Sequence, residues 1–115
     1  MLSKKFRFRN KKAIDQVFLK GKIFSKGFML AKILHQKSQN SHIAFSVGLG
    51  FSKKAVRRNS LRRTVESAVK NNLNSIKNGY DIVFFPRKGM PEKFDAETVR
   101  LLIQDILNDN NLLKK

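Results

Sequence analysis

Ile43, Phe45, Val47, Leu49 and Phe51 alternate with Ala44, Ser46, Gly48 and Gly50. Strict alternation fits a β-strand with one bulky apolar face and one face of small residues. The bulky face has to be buried. The small face admits either a closely packed helix or the backbone of a ligand. Directly after this run come six cations within eleven residues: Lys53, Lys54, Arg57, Arg58, Arg62 and Arg63. Like charges this dense repel unless a polyanion neutralises them. Strand and basic segment together predict a sheet whose next helix docks on nucleic acid.

The rest of the composition narrows this further. A chain of 115 residues suffices for one domain and is short for two. Hydrophobic residues make up 41%, too many for a disordered tail, and ten Phe with no Trp point to a core of Phe, Ile, Leu and Val. Net charge is +17, and residues 1–70 hold 18 of the 25 Lys/Arg but only 2 of the 8 Asp/Glu. That field attracts phosphate backbones or anionic lipid. A lipid-surface protein would carry a long basic amphipathic helix or a lipidation signal, and neither is visible. With no cysteine, disulfides, Cys-zinc sites and thiol catalysis are excluded, which fits a cytoplasmic location. The longest clean apolar run, 82–85, is far below a membrane span, and the basic amino terminus lacks the apolar segment of a signal peptide.

Read along the chain, residues 1–12 form a basic arm with Phe6 and Phe8 interleaved, whose charge opposes order until a partner binds. Asn10 caps a helix carrying Ile14, Val17 and Phe18 on one side, and Gly21 ends it. Ile23 and Phe24 begin a short strand. Residues 28–34 read as a strand interrupted by Lys32, and 36–41 as a polar turn. The basic segment opens a helix of about five turns, with Leu61, Val65, Ala68, Asn72 and Ile76 inward and Asn78-Gly79 as its stop. A strand follows over 80–85, then a turn at 86–89. Asp95 caps a last helix with Val99, Leu102, Ile103 and Ile106 buried. The fold class is α+β: one domain, a mixed sheet with helices packed on it.

Catalytic groups are scarce. His35 and His42 lie near a turn and are expected to be solvated. Asp81, Glu92, Asp95, Glu97, Asp105 and Asp109 show no spacing suited to two-metal phosphodiester chemistry and are expected on a solvated face, and no metal ligand is assigned. There is no phosphate-binding loop or Ser-His-Asp arrangement. Binding is therefore favoured over autonomous catalysis: Lys and Arg neutralise phosphates, and Phe18, backed by Phe24, Phe28 and Phe45, can stack on unpaired bases.

From Ser52-Lys53-Lys54 through Ala55-Val56-Arg57-Arg58-Asn59-Ser60-Leu61-Arg62-Arg63 the chain resembles the bacterial ribonuclease P protein subunit, whose signature is a Ser-Lys-Lys strand end and a helix beginning Ala-Val-x-Arg-Asn-Arg-x-Lys-Arg. Val17-Phe18 followed by Gly21, the run from Val47 to Lys54, the strand over 81–85 and the closing helix keep that family's order. Ser60 and Glu66 stand where the family has arginines, and the loop before Ala55 is about three residues shorter.

The resemblance implies the element order α-β-β-β-α-β-α around a four-stranded mixed sheet, with a left-handed crossover against the usual rule. It implies a subunit that joins a catalytic RNA and helps remove the 5′ leader of precursor tRNA, with hydrolysis and Mg2+ belonging to the RNA. By position it implies that Lys53, Lys54, Arg57, Arg58, Asn59, Arg62 and Arg63 meet the catalytic RNA. Ile14, Phe18, Lys32 and Ser46 would hold the single-stranded leader. No membrane and no obligate protein partner are implied. The competing expectations are a ribosome-associated RNA-binding protein and a metal-dependent nuclease acting alone.

Overall fold

The computed structural model describes residues 6–8, 10–36, 39–48 and 50–113. Helix α1 spans Lys11–Lys20, and strands β1 (Lys22–Lys26), β2 (Met29–His35) and β3 (His42–Phe45) follow. Helix α2 (Ala55–Lys70), strand β4 (Tyr80–Pro86) and helix α3 (Ala96–Asp109) complete the order. The sheet runs β1-β2-β4-β3. β2 is antiparallel to both β1 and β4, whereas β3 is parallel to β4 and reaches it through α2. This is the mixed sheet and element order the sequence implied.

Local chemistry explains most boundaries. Asn10 Oδ1 accepts the Ala13 N–H at 3.0 Å and caps α1. Gly27, at φ +57°, is the first residue of the two-residue β1–β2 turn, a position where only glycine is unstrained. Asp95 accepts from the Glu97 N–H at 3.3 Å and the Thr98 hydroxyl at 3.2 Å, fixing the start of α3. Arg100 donates to Glu97 through Nε at 2.9 Å, and this hydrogen bonding holds the exposed Glu97 carboxyl below its ordinary range.

The β-strand alternation divides the sheet into two faces. Met29, Ala31, Ile33, Ile43, Ile82 and Phe84 point to one, where they join Leu61 and Val65 of α2 and Val99, Ile103, Ile106 and Leu107 of α3 in a single buried cluster. Lys32, Ala44 and Val83 alternate to the other face, which α1 crosses over β2 and β4. Val17 of α1 and Val83 are both completely buried there. One side of the sheet thus carries the core, and the other carries α1, with Phe8 against His42 at its edge.

Gly21 is required by crowding, not by its backbone angle. Its φ of −70° suits any residue, but a Cβ would stand 2.5 Å from the Val17 carbonyl oxygen and 3.2 Å from that of Ile33. Gly21→Ala is expected to destabilise the fold by about 1–3 kcal/mol by prising α1 from the sheet. Urea denaturation checks this.

Several expectations need correction. α2 ends at Lys70, not at Asn78-Gly79: the Asn72 side chain donates to the Ala68 carbonyl at 3.1 Å and competes with the helix ladder. Residues Leu73–Ser75 form a separate 3-10 turn, and Ile76 is buried through a bridge to Leu113. β2 is continuous through Lys32. The alternating run is a strand only to Phe45, although Val47 and Phe51 still pack against the core, and Leu49 lies outside the described residues. Lys11 and Lys12, assigned to the arm, form the first turn of α1. Residues 1–5 and 9 of that arm, and 37–38 of the expected polar turn, lie outside the described residues.

Candidate nucleic-acid interface

The open sheet face forms a groove. Ile14 and Phe18 of α1, Ala44 of β3, Ser46 just after it, Val83 of β4 and Arg62 of α2 line its central part. A second hollow continues from Phe18 and Ser46 over Gly48 and Gly50 to Phe85, Arg87 and Lys88. The two share Phe18 and Ser46, so they make one channel with an aromatic wall, with Lys11, Arg62, Arg87 and Lys88 along its length beside the carboxylate Asp15. A Cβ at Gly48 or Gly50 would meet nothing within 4 Å. Of the two roles open to the small face, close helix packing is therefore absent at both glycines, and the channel floor stays low.

Three of the four residues expected along the leader, Ile14, Phe18 and Ser46, border this channel. Lys32 stands behind it. Its Nζ donates to the Phe18 carbonyl at 2.5 Å and lies 5.7 Å from the Phe18 ring centroid. A cation at the last turn of α1 opposes the negative end of the helix dipole, so Lys32 fixes the helix that carries Phe18. The other face of that aromatic wall is Phe85, with ring centroids 5.7 Å apart.

α2 presents the basic surface. Lys53, Lys54, Asn59 and Arg63 are exposed, and Arg57, Arg58 and Arg62 are half-buried. Val56, Asn59, Arg62 and Arg63 share one shallow hollow, with Val56 74% exposed in its midst. The first turn has no acidic residue and no side-chain cap, so its free N–H groups add to the positive field.

Ser52 sets how α2 begins. It is 4% exposed; its hydroxyl accepts the Lys54 N–H at 3.1 Å and its carbonyl accepts Arg58 Nη1 at 2.9 Å. The shortened loop is closed by this one residue. Sequence reasoning quoted Ser52 only as part of a motif, because its role depends on burial. Arg62 is tied differently, donating through Nη1 to Asn59 Oδ1 at 3.0 Å. It lines both the α2 hollow and the channel. Arg62 is thus where the two surfaces meet.

His42 Nδ1 and Asp81 Oδ1 are 2.8 Å apart, and Asp81 is 6% exposed, so neither is the solvated group expected. Neighbouring Ser41 is engaged elsewhere: its hydroxyl donates to the Lys77 carbonyl at 2.5 Å and accepts the Tyr80 N–H at 3.1 Å. It is no nucleophile for the pair. Among the described residues, no three His, Asp or Glu converge as metal ligands. Among them, too, no helix is long and apolar enough to cross a membrane.

Comparison with known proteins agrees with this architecture. Residues 2–108 match the model of the family Ribonuclease P. A ribonuclease P protein component of Clostridioides difficile is 38% identical over 73 residues, covering 63% of this chain and 63% of the relative. One of Streptococcus pneumoniae is 30% identical over 106 residues, covering 89% of this chain and 82% of the relative. The solved structure of the RNase P protein from Thermotoga maritima superposes with a TM-score of 0.79 at 29% identity, covering 90% of this chain and 96% of that one. With the family match spanning nearly the whole chain and the fold shared, the chain belongs to the ribonuclease P protein family and is a protein subunit of ribonuclease P that serves tRNA processing.

Proposed function

We propose that this chain holds two RNA segments at once: the catalytic RNA on the basic face of α2, and the single-stranded 5′ leader of precursor tRNA in the channel beneath α1. The observation that carries this is the position of Arg62, which borders both surfaces. Lys53, Lys54, Arg57, Arg58, Asn59, Arg62 and Arg63 neutralise phosphates of the catalytic RNA. Ile14, Phe18 and Ser46 receive leader nucleotides, and Lys32 holds Phe18 in place. The channel favours a single strand: an aromatic wall stacks any base, and cations along its length track the backbone without reading sequence. A ribosome-associated role shares the basic helix but has no use for this channel.

In this proposal hydrolysis belongs to the RNA subunit, which binds Mg2+, the ion that activates and stabilises the reacting oxygens. The protein's own donors do not fit a two-metal centre, since no suitable cluster occurs among the described residues. The chain contributes binding energy and charge. By offsetting phosphate repulsion between the two RNAs it lowers the Mg2+ needed to bring them together. Such a complex operates in the cytoplasm, where precursor tRNA is made.

Adding the chain to a bacterial catalytic RNA is expected to raise precursor-tRNA cleavage at low Mg2+ and to matter little at high Mg2+. No gain at low Mg2+ would refute the proposal. So would leader removal by the RNA-free chain.

A further inference from the structure

A second cleft opens at the other end of the sheet. Lys20 and Lys22 rim it, His35 and Tyr80 form its wall, and Asn110 and Leu112 close it from the segment after α3. His35 and Tyr80 are register partners, two pairs beyond Ile33 and Ile82, and so alternate toward the core side of the sheet. The leader channel lies over Ala44 and Val83, on the opposite side. The two sites are therefore separate.

The chemistry of this cleft is specific. The His35 and Tyr80 rings are stacked, with centroids 4.7 Å apart and planes within 23°. His35 is exposed, so this preformed two-ring platform is accessible to a third flat ring. Asn110 is anchored by its Nδ2, which donates to the Ile106 carbonyl at 2.7 Å, leaving Oδ1 as an acceptor. No carboxylate lines the cleft, and neither lysine is in an ion pair among the described residues. An aromatic platform, an amide acceptor and two uncompensated cations complement a nucleobase attached to a phosphate.

We infer that this cleft binds one unpaired nucleotide of an RNA, its base stacked on Tyr80 and His35 and its phosphate between Lys20 and Lys22. This goes beyond the two-surface proposal, because it adds a third contact on the far side of the sheet. A nucleotide flipped out of an RNA helix or loop fits it, and a duplex does not.

The test is a titration of the whole chain with adenosine 5′-monophosphate, followed by NMR, with adenosine and inorganic phosphate in parallel. Tyr80 is the only tyrosine, so its ring signals are unambiguous. Expected are shifts of the Tyr80 and His35 rings with the nucleotide, larger than with phosphate or adenosine alone. Lys20→Glu with Lys22→Glu, both on exposed positions, should weaken binding by about tenfold while leaving the spectrum folded. Tyr80→Leu should weaken it by about tenfold or more. Unmoved Tyr80 and His35 rings, equal shifts with phosphate alone, or wild-type affinity in the charge-reversed variant would overturn the inference. Signals from Phe18 and Ser46 in the same spectra report the leader channel separately, so failure here leaves that proposal to its own test.

Discussion

Replacing Arg58 and Arg62 together with alanine is expected to weaken RNA binding more than any other pair of changes on the surface. Each single change should cost about 1–3 kcal/mol if its guanidinium grips phosphate or a base edge through two N–H groups. The two side chains lie one helical turn apart, so their effects need not add. They should also differ in kind. Arg58 is tied to the Ser52 carbonyl, so its loss loosens the start of α2 as well as removing charge. Arg62, among the described residues, donates to Asn59 on its own helix, so its loss should affect mainly binding. Because Arg62 borders both surfaces, Arg62→Ala should lower affinity for catalytic RNA and for precursor tRNA in the holoenzyme. Each lost phosphate contact also flattens the dependence of log K on log salt by about one. Filter binding across a salt series measures both effects. Unchanged affinity and slope in the double variant would place RNA on another face. Lys26→Ala is the control, since Lys26 pairs with Asp109 at 3.1 Å, away from α2.

Phe84→Ala is expected to have the largest effect on stability. Phe84 is completely buried on the middle strand β4, opposite Ala31 of β2 and Phe45 of β3. It joins the sheet to the cluster contributed by α2 and α3. Removing a ring from such a site costs about 3–5 kcal/mol, from lost burial and the cavity left behind. A domain of this size is stable by only about 5–15 kcal/mol. The melting temperature should fall by roughly 10 °C or more. Precursor-tRNA binding should fail at the new melting point and be largely retained well below it, because Phe84 faces away from the channel. A small shift in melting temperature would show that the core packs differently around β4.

Much of this architecture was legible in the sequence, for reasons that differ element by element. Val99, Ile103 and Ile106 recur at helical spacing behind Asp95, and all three are buried in α3. Asn10 and Gly21 bracket α1 as expected. The arginines of α2 stood out because charge density needs no tertiary context. What was hidden depends on partners distant in sequence. Lys32 looked like a strand breaker until the Phe18 carbonyl, fourteen residues away, supplied its acceptor. Asp81 looked solvated until His42 came beside it across the β3–β4 pair. The early end of α2 turned on one side-chain hydrogen bond of Asn72 that competes with an otherwise continuous pattern. Arg62 could be placed on a basic face from its spacing, but its second role at the channel required knowing that β3 lies beside α2. The resemblance implied which residues would meet RNA. The channel geometry adds how Phe18, Ser46 and Arg62 are brought together.

Site-directed crosslinking tests the two-surface arrangement most directly. A photoreactive phenylalanine at position 18 and another at position 63 would be assembled separately with catalytic RNA and precursor tRNA. The attached nucleotides would then be mapped. From position 18 the account predicts adducts to leader nucleotides upstream of the cleavage site. From position 63 it predicts adducts to the catalytic RNA. Adducts from position 18 confined to the mature tRNA body, or from position 63 confined to precursor tRNA, would contradict it.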